Sequence, residues 1–152
     1  MIIHAGLVAR RAVGRWRGAL IEGPSGSGKS DFALRLMKEG WRLVADDRVM
    51  LWASGGRLYG RAPDTLHGLI EARGVDIFKV PAVSVSEVAL SVRHTDDPER
   101  LPDPERRLFA GVEISTLALN LLHRGASAQL ALAWSEHANS DARPHHLDSA
   151  RT

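Results

Sequence analysis

Gly23-Pro24-Ser25-Gly26-Ser27-Gly28-Lys29-Ser30 sets glycines, a lysine and a hydroxyl at the spacing G-x-x-x-x-G-K-[ST]. Glycines there take positive φ without a Cβ penalty, so successive amide hydrogens turn inward on an anion. A helix starting near Lys29 brings its positive dipole end to the same point. Lys29 then reaches the β- and γ-phosphates of ATP, and the Ser30 hydroxyl ligates magnesium. The loop implies nucleotide binding; it does not say which reaction follows.

A second feature narrows the chemistry. Asp46 and Asp47 close the apolar run Leu43-Val44-Ala45, one helix after the glycine loop. In most phosphate-loop proteins the magnesium-organising acid arrives later, after a further strand and helix. Two adjacent acids also exceed what magnesium requires. One ligates or orients while the other handles a proton. A polar turn between strands would yield the same dipeptide, but the neighbouring glycine loop favours a functional pair.

These groups need elements to position them. Ile2 to Ala9 reads as a first strand, Arg10 to Arg17 as an exposed hairpin turn, and Ala19-Leu20-Ile21 as a short buried strand running into the loop. Phe32, Ala33, Leu36 and Met37 recur at helical spacing, and Gly40 sits where that helix would end. Val49–Ala53 and Arg57–Arg61 flank a turn at Ser54-Gly55-Gly56. Val83, Val85, Val88, Leu90 and Val92 suggest a strand whose alternation slips near Ser86, as at a bulge. His94 to Arg107 is charged, carries three prolines, and reads as a surface loop. Val112 to Leu121 gives another strand with a similar slip, and Ala126 to Ala138 a closing helix. From Asn139 the chain is polar and aperiodic, the composition of a disordered tail.

Composition bounds the rest. A length of 152 residues suits one domain, with 44% hydrophobic and 25% charged residues. Twenty basic against 18 acidic residues leave +2, too little to draw nucleic acid or a membrane non-specifically. The chain has no cysteine, which excludes disulfides and thiolate metal sites and suits a reducing compartment. No apolar run is long enough to span a bilayer, and the basic residues follow the first apolar stretch rather than precede it as in a signal peptide. The expected location is cytoplasmic.

Three segments together resemble the catalytic domain of HPr kinase/phosphorylase, which modifies a serine of the phosphocarrier HPr. They are the phosphate loop followed by Asp31, the stretch Arg42-Leu43-Val44-Ala45-Asp46-Asp47-Arg48-Val49, and Gly68-Leu69-Ile70-Glu71-Ala72-Arg73-Gly74-Val75-Asp76-Ile77. The likeness runs from about His4 to Leu121. It implies an α/β fold with a mainly β core and the phosphate-loop helix packed on it, related to phosphoenolpyruvate carboxykinase rather than to doubly wound kinases. It also implies ATP-dependent phosphorylation of HPr, phosphorolysis of phosphoserine by inorganic phosphate, and a hexamer.

By that resemblance Asp46 is the general base and Asp47 its partner. Glu71 joins Ser30 at magnesium, and Arg73 supports this segment beside the nucleotide. His4 lies close to the acid pair, and Arg100 contacts the transferred phosphoryl group. The chain also departs from the family. Full-length members carry an additional N-terminal domain, whereas the first strand here starts at Ile2, like the short form. Phe78 to Val85 lacks the family's glycine-rich loop, and Asp76 stands where glycine is usual.

Other residues have plainer readings. His67, His94, His123 and His137 show no ligand spacing, and the adjacent His145 and His146 would diverge on a regular element. The four tryptophans suit core packing better than nucleotide stacking. Arg10, Arg11, Arg15 and Arg17 form a small basic patch. Two further function classes share the loop. A small-molecule kinase should show a later magnesium acid and an arginine-bearing lid, and a nucleotide sensor would bind ATP without turnover.

Overall fold

The structure is a computed structural model and describes residues 1–137. The strands are β1 (Ile2–His4), β2 (Gly6–Ala12), β3 (Arg15–Glu22), β4 (Arg42–Ala45), β5 (Arg48–Ser54), β6 (Arg57–Arg61), β7 (Leu69–Ala72), β8 (Asp76–Lys79), β9 (Ser86–His94), β10 (Glu105–Phe109) and β11 (Val112–Leu119). The helices are α1 (Lys29–Lys38) and α2 (Ala126–His137), and a short 3-10 turn covers Asp64–Leu66. This is a mixed α/β fold dominated by strands, as expected. Nine of the strands form one sheet in the order β1-β5-β6-β9-β3-β2-β4, with β11 joined to β9 and β10 to β11; β7 and β8 pair separately.

Six of the eight neighbouring pairs in this sheet are antiparallel, and two-residue turns join three of them. Val13-Gly14, Gly55-Gly56 and Ala110-Gly111 all have positive φ at both positions, the requirement of a type I′ turn. The registers Ala12↔Arg15, Ser54↔Arg57 and Phe109↔Val112 leave only those pairs unpaired. The exposed turn expected over Arg10 to Arg17 is therefore much tighter, with Arg10 opposite Arg17 in the ladder.

Each sheet face buries its own core. On the helix side, Val8, Ala19, Ile21, Leu43 and Leu90 pack with Phe32, Ala33 and Leu36 of α1 and with Leu130 and Trp134 of α2. On the other side Leu7, Leu20, Val44, Leu51 and Leu58 meet Phe109, Val112 and Ile114. Strict alternation would send Val88 and Leu90 to one face. They lie on opposite faces because the β3–β9 register shifts, Gly18 facing Val88 and Ala19 facing Leu90. The bulge is thus at Ala89, three residues beyond the slip expected near Ser86.

Three further boundaries differ from the sequence reading. The first strand is broken at Ala5, whose N–H donates to the Asp47 carbonyl at 3.1 Å. The loop after β9 ends at Glu105, where edge strand β10 begins, and β11 stops at Leu119, before the buried Leu121. The helix expected to Ala138 is present as α2 through His137; Ala138 and the predicted tail lie outside the described residues. Trp41 and Trp134 meet edge-on, centroids 4.7 Å apart, which places those tryptophans in the core as expected. Among the described residues no helix is long and apolar enough to cross a membrane.

Candidate active site

β3 delivers the chain into the phosphate loop, and α1 leaves it. Gly26 (φ 82) and Gly28 (φ 96) take the left-handed conformation that the motif requires, and Gly28 caps α1. A Cβ on Gly28 would come within 2.7 Å of Leu122 Cδ2; one on Gly23 would strike the Ser27 hydroxyl and stand 2.9 Å from His94 Cβ. Gly28 is thus needed for close approach as well as for φ, and Gly23 for close approach alone. The Ser27 hydroxyl is buried and makes no hydrogen bond within the protein. Lys29 Nζ donates to the carbonyls of Gly23 (2.6 Å) and Pro24 (3.0 Å), folding the ammonium over the loop. Burial lowers the Lys29 pKa, and the charges of Asp47 and Asp46 oppose that shift.

The acids follow β4 and point apart. Asp47 has φ 70, which an aspartate tolerates better than most residues and which turns consecutive side chains to different environments. Asp46 is buried. Its Oδ1 accepts the Ser30 hydroxyl at 2.8 Å and its Oδ2 accepts the Glu71 N–H at 3.1 Å. One carboxylate thereby ties the start of α1 to the β7–β8 hairpin. Desolvation raises the Asp46 pKa; the bonds from Ser30 and Glu71 pull it back, and the nearby charges of Asp47 and Glu71 push it up again.

Asp47 faces outward. The β1–β5 register sets His4 opposite Arg48, and His4 Nε2 lies 2.9 Å from Asp47 Oδ1. Their side chains are 45% and 57% exposed, so water screens the pair. Arg73 sits in the tight connection between β7 and β8, with Nη1 3.6 Å from where a Gly26 Cβ would be.

An open pocket of about 300 Å³ gathers these groups: His4, Ser25, Gly26, Gly28, Lys29, Ser30, Asp31, Asp47, Glu71 and Arg73 line it. Gly23, Pro24, Ser27 and Asp46 belong to the loop and its support rather than to this lining. Arg100 is exposed in the loop between β9 and β10 and is not brought to the pocket wall. Sequence reasoning passed over Asp31 as a lining residue, and His94 and Leu122 as the wall behind the glycines. The Asp31 signal was local, directly after Ser30. The other two had none, because His94 at the end of β9 and Leu122 in the turn after β11 are remote in sequence from the loop.

The site is chemically coherent. Amide hydrogens, Lys29 and Arg73 present positive charge to a polyphosphate. The Ser30 hydroxyl donates its hydrogen bond to Asp46, leaving lone pairs for a hard cation, and the Glu71 carboxylate lines the same pocket; these oxygen donors fit magnesium.

The chain is 48% identical over 66 residues to an HPr kinase/phosphorylase of Clostridium tetani (43% of this chain, 22% of that protein). It is 53% identical over 64 residues to one of Streptococcus thermophilus (41% and 21%). The matched stretch therefore spans about a fifth of those relatives' length. The solved structure titled Hpr(Ser) kinase/phosphatase from Coxiella burnetii superposes with a TM-score of 0.75 at 25% identity, covering 90% of this chain and 95% of that one. Residues 3–91 match the HPr Serine kinase C-terminal domain, and the chain belongs to that family.

Proposed function

We propose that the protein is an ATP-dependent protein serine kinase acting on HPr. The observation that carries this reading is the convergence of the phosphate loop, Arg73 and Asp47 on one open pocket, with the buried Asp46 bonded to Ser30 at its edge. Lys29 and the loop amides hold the triphosphate. Ser30 and Glu71 would hold magnesium, which neutralises phosphate charge when bound. Asp46 takes the proton of the target serine as its oxygen attacks the γ-phosphorus; the bond to the bridging oxygen breaks and ADP leaves. The raised proton affinity of Asp46 supports that role. His4 holds Asp47 in place as its partner.

In reverse, an oxygen of inorganic phosphate attacks phosphoserine, pyrophosphate forms, and Asp46 returns the proton to serine. Val75, Ile77 and Phe78 are exposed on and beside the β7–β8 hairpin that carries Arg73, an apolar surface suited to a protein substrate. Arg100 reaches the transferred phosphoryl group only if its loop closes on nucleotide binding. A hexameric assembly and action in the cytoplasm accompany this reading; sedimentation of the purified chain tests the former.

One observation favours a second division of labour. Asp47 lines the pocket whereas both Asp46 oxygens are engaged, so Asp47 could take the proton while Asp46 orients Ser30. Labelled ATP and HPr test the activity, and the paired variants test the roles. Under the first division, Asp46→Asn keeps ATP binding and lowers kcat at least about 100-fold, the span of general-base catalysis. A larger loss of kcat in Asp47→Asn than in Asp46→Asn supports the second.

A further inference from the structure

We infer that His94 is a positioning residue for the phosphate loop, acting through the wall against which Gly23 and Gly28 are seated; this rests on the nucleotide site proposed above. His94 ends β9, and its side chain is only 7% exposed. Its Nδ1 accepts the Leu121 N–H at 3.1 Å, so the ring's proton is on Nε2, which lies 2.9 Å from Asp96 Oδ1. The ring thereby bridges the start of the loop after β9 to the turn that follows β11. Two more bonds knit the same junction: Thr95 N–H to the Leu119 carbonyl (2.9 Å) and Leu122 N–H to Asn120 Oδ1 (3.0 Å). From α1, Arg35 donates to the carbonyls of Leu121 and His123.

This junction touches the glycine loop at two points. His94 Cβ lies where a Gly23 side chain would be, and Leu122 Cδ2 where a Gly28 side chain would be. The first and last glycines of the motif therefore rest on residues about 70 and 94 positions along the chain. The β9–β11 pairing sets the distance between those two supports, and the His94–Leu121 bond fixes the second relative to the first. A loop whose amides must converge on phosphate loses affinity when its backing can shift, because preorganisation is what the glycine cradle supplies. His94 has no contact with the nucleotide in this scheme.

Dissociation constants for ATP with magnesium, measured beside melting temperatures, test the inference. Asparagine places its Oδ1 near the His94 Nδ1 position, whereas glutamine places its amide near Nε2. His94→Asn should therefore bind within about threefold of the unchanged protein, while His94→Gln weakens binding about tenfold. Equal weakening in both variants, tracking their melting temperatures, would reduce His94 to ordinary packing and overturn the inference. Leu122→Ala provides the second arm, since Leu122 is 63% exposed and its truncation does not threaten the fold. It should weaken ATP several-fold at an unchanged melting temperature; unchanged affinity contradicts the proposal. Failure of the unsubstituted protein to bind ATP with magnesium would instead refute the nucleotide site itself.

Discussion

Asp46 is held by two donors, yet burial still raises its proton affinity. The folded chain binds this proton more tightly than the unfolded chain. The stability contributed by the group is therefore full below the ordinary carboxylate pKa and is lost as pH rises through the raised value. Asparagine keeps the shape, can accept the Glu71 N–H and donate to the Ser30 oxygen, and carries no charge. Asp46→Asn should thus melt a few degrees higher than the unchanged protein at neutral pH, about 1 kcal/mol for a domain of this size. That gain should shrink towards acid pH, where the carboxyl is protonated in both states. Differential scanning calorimetry across pH checks it; a gain independent of pH would contradict the assignment. The loop and the acid pair were legible in sequence because their spacing is local. Glu71 and Arg73 were reached only by resemblance, and the structure puts both on the pocket wall. The backing of Gly23 and Gly28 was not legible, because a contact between segments far apart in sequence leaves no mark in either.

At the scale of elements, periodicity found α1 and most strands, while turn chemistry was read only where two glycines stood together. Val13-Gly14 and Ala110-Gly111 are equally tight turns, but valine and alanine do not advertise positive φ. Val13 at φ 49 is a β-branched residue in a conformation it disfavours. Val13→Asn should relieve that strain and stabilise the domain by about 1 kcal/mol, read as a higher denaturant midpoint at unchanged slope. An unchanged midpoint would argue against positive φ there. Leu36, buried between α1 and the sheet, tests the packing that seats the phosphate loop: Leu36→Ala should cost about 2–5 kcal/mol. The bulge at Ala89 was placed three residues early because alternation signals that a slip exists without marking which residue is extra.

For the molecule as a whole, the parallel pair β3–β9 is the spine, and its two ends differ in chemistry. One end runs into the glycine loop. At the other, the buried Glu87 receives Arg15 at 2.9 Å and Arg17 at 3.0 Å, with Arg57 at 3.8 Å. Glu87→Gln removes the charge these arginines share and should cost about 3–5 kcal/mol by equilibrium unfolding, the scale of a broken buried pair. A loss below about 1 kcal/mol would place the cluster among screened surface pairs. Arg15 and Arg17 had read as part of a solvated hairpin, since sequence shows a run of arginines but not the acid, on a distant strand, that gathers these two; Arg10 and Arg11 lie instead over Trp41 and Trp16. The most direct test of what the assembled site does is intact-mass analysis of HPr after incubation with this protein, ATP and magnesium. Gain of one phosphoryl group on a serine, retained with wild-type enzyme and lost with Lys29→Ala, is the predicted result. Unmodified HPr in the presence of protein that has bound ATP would contradict it.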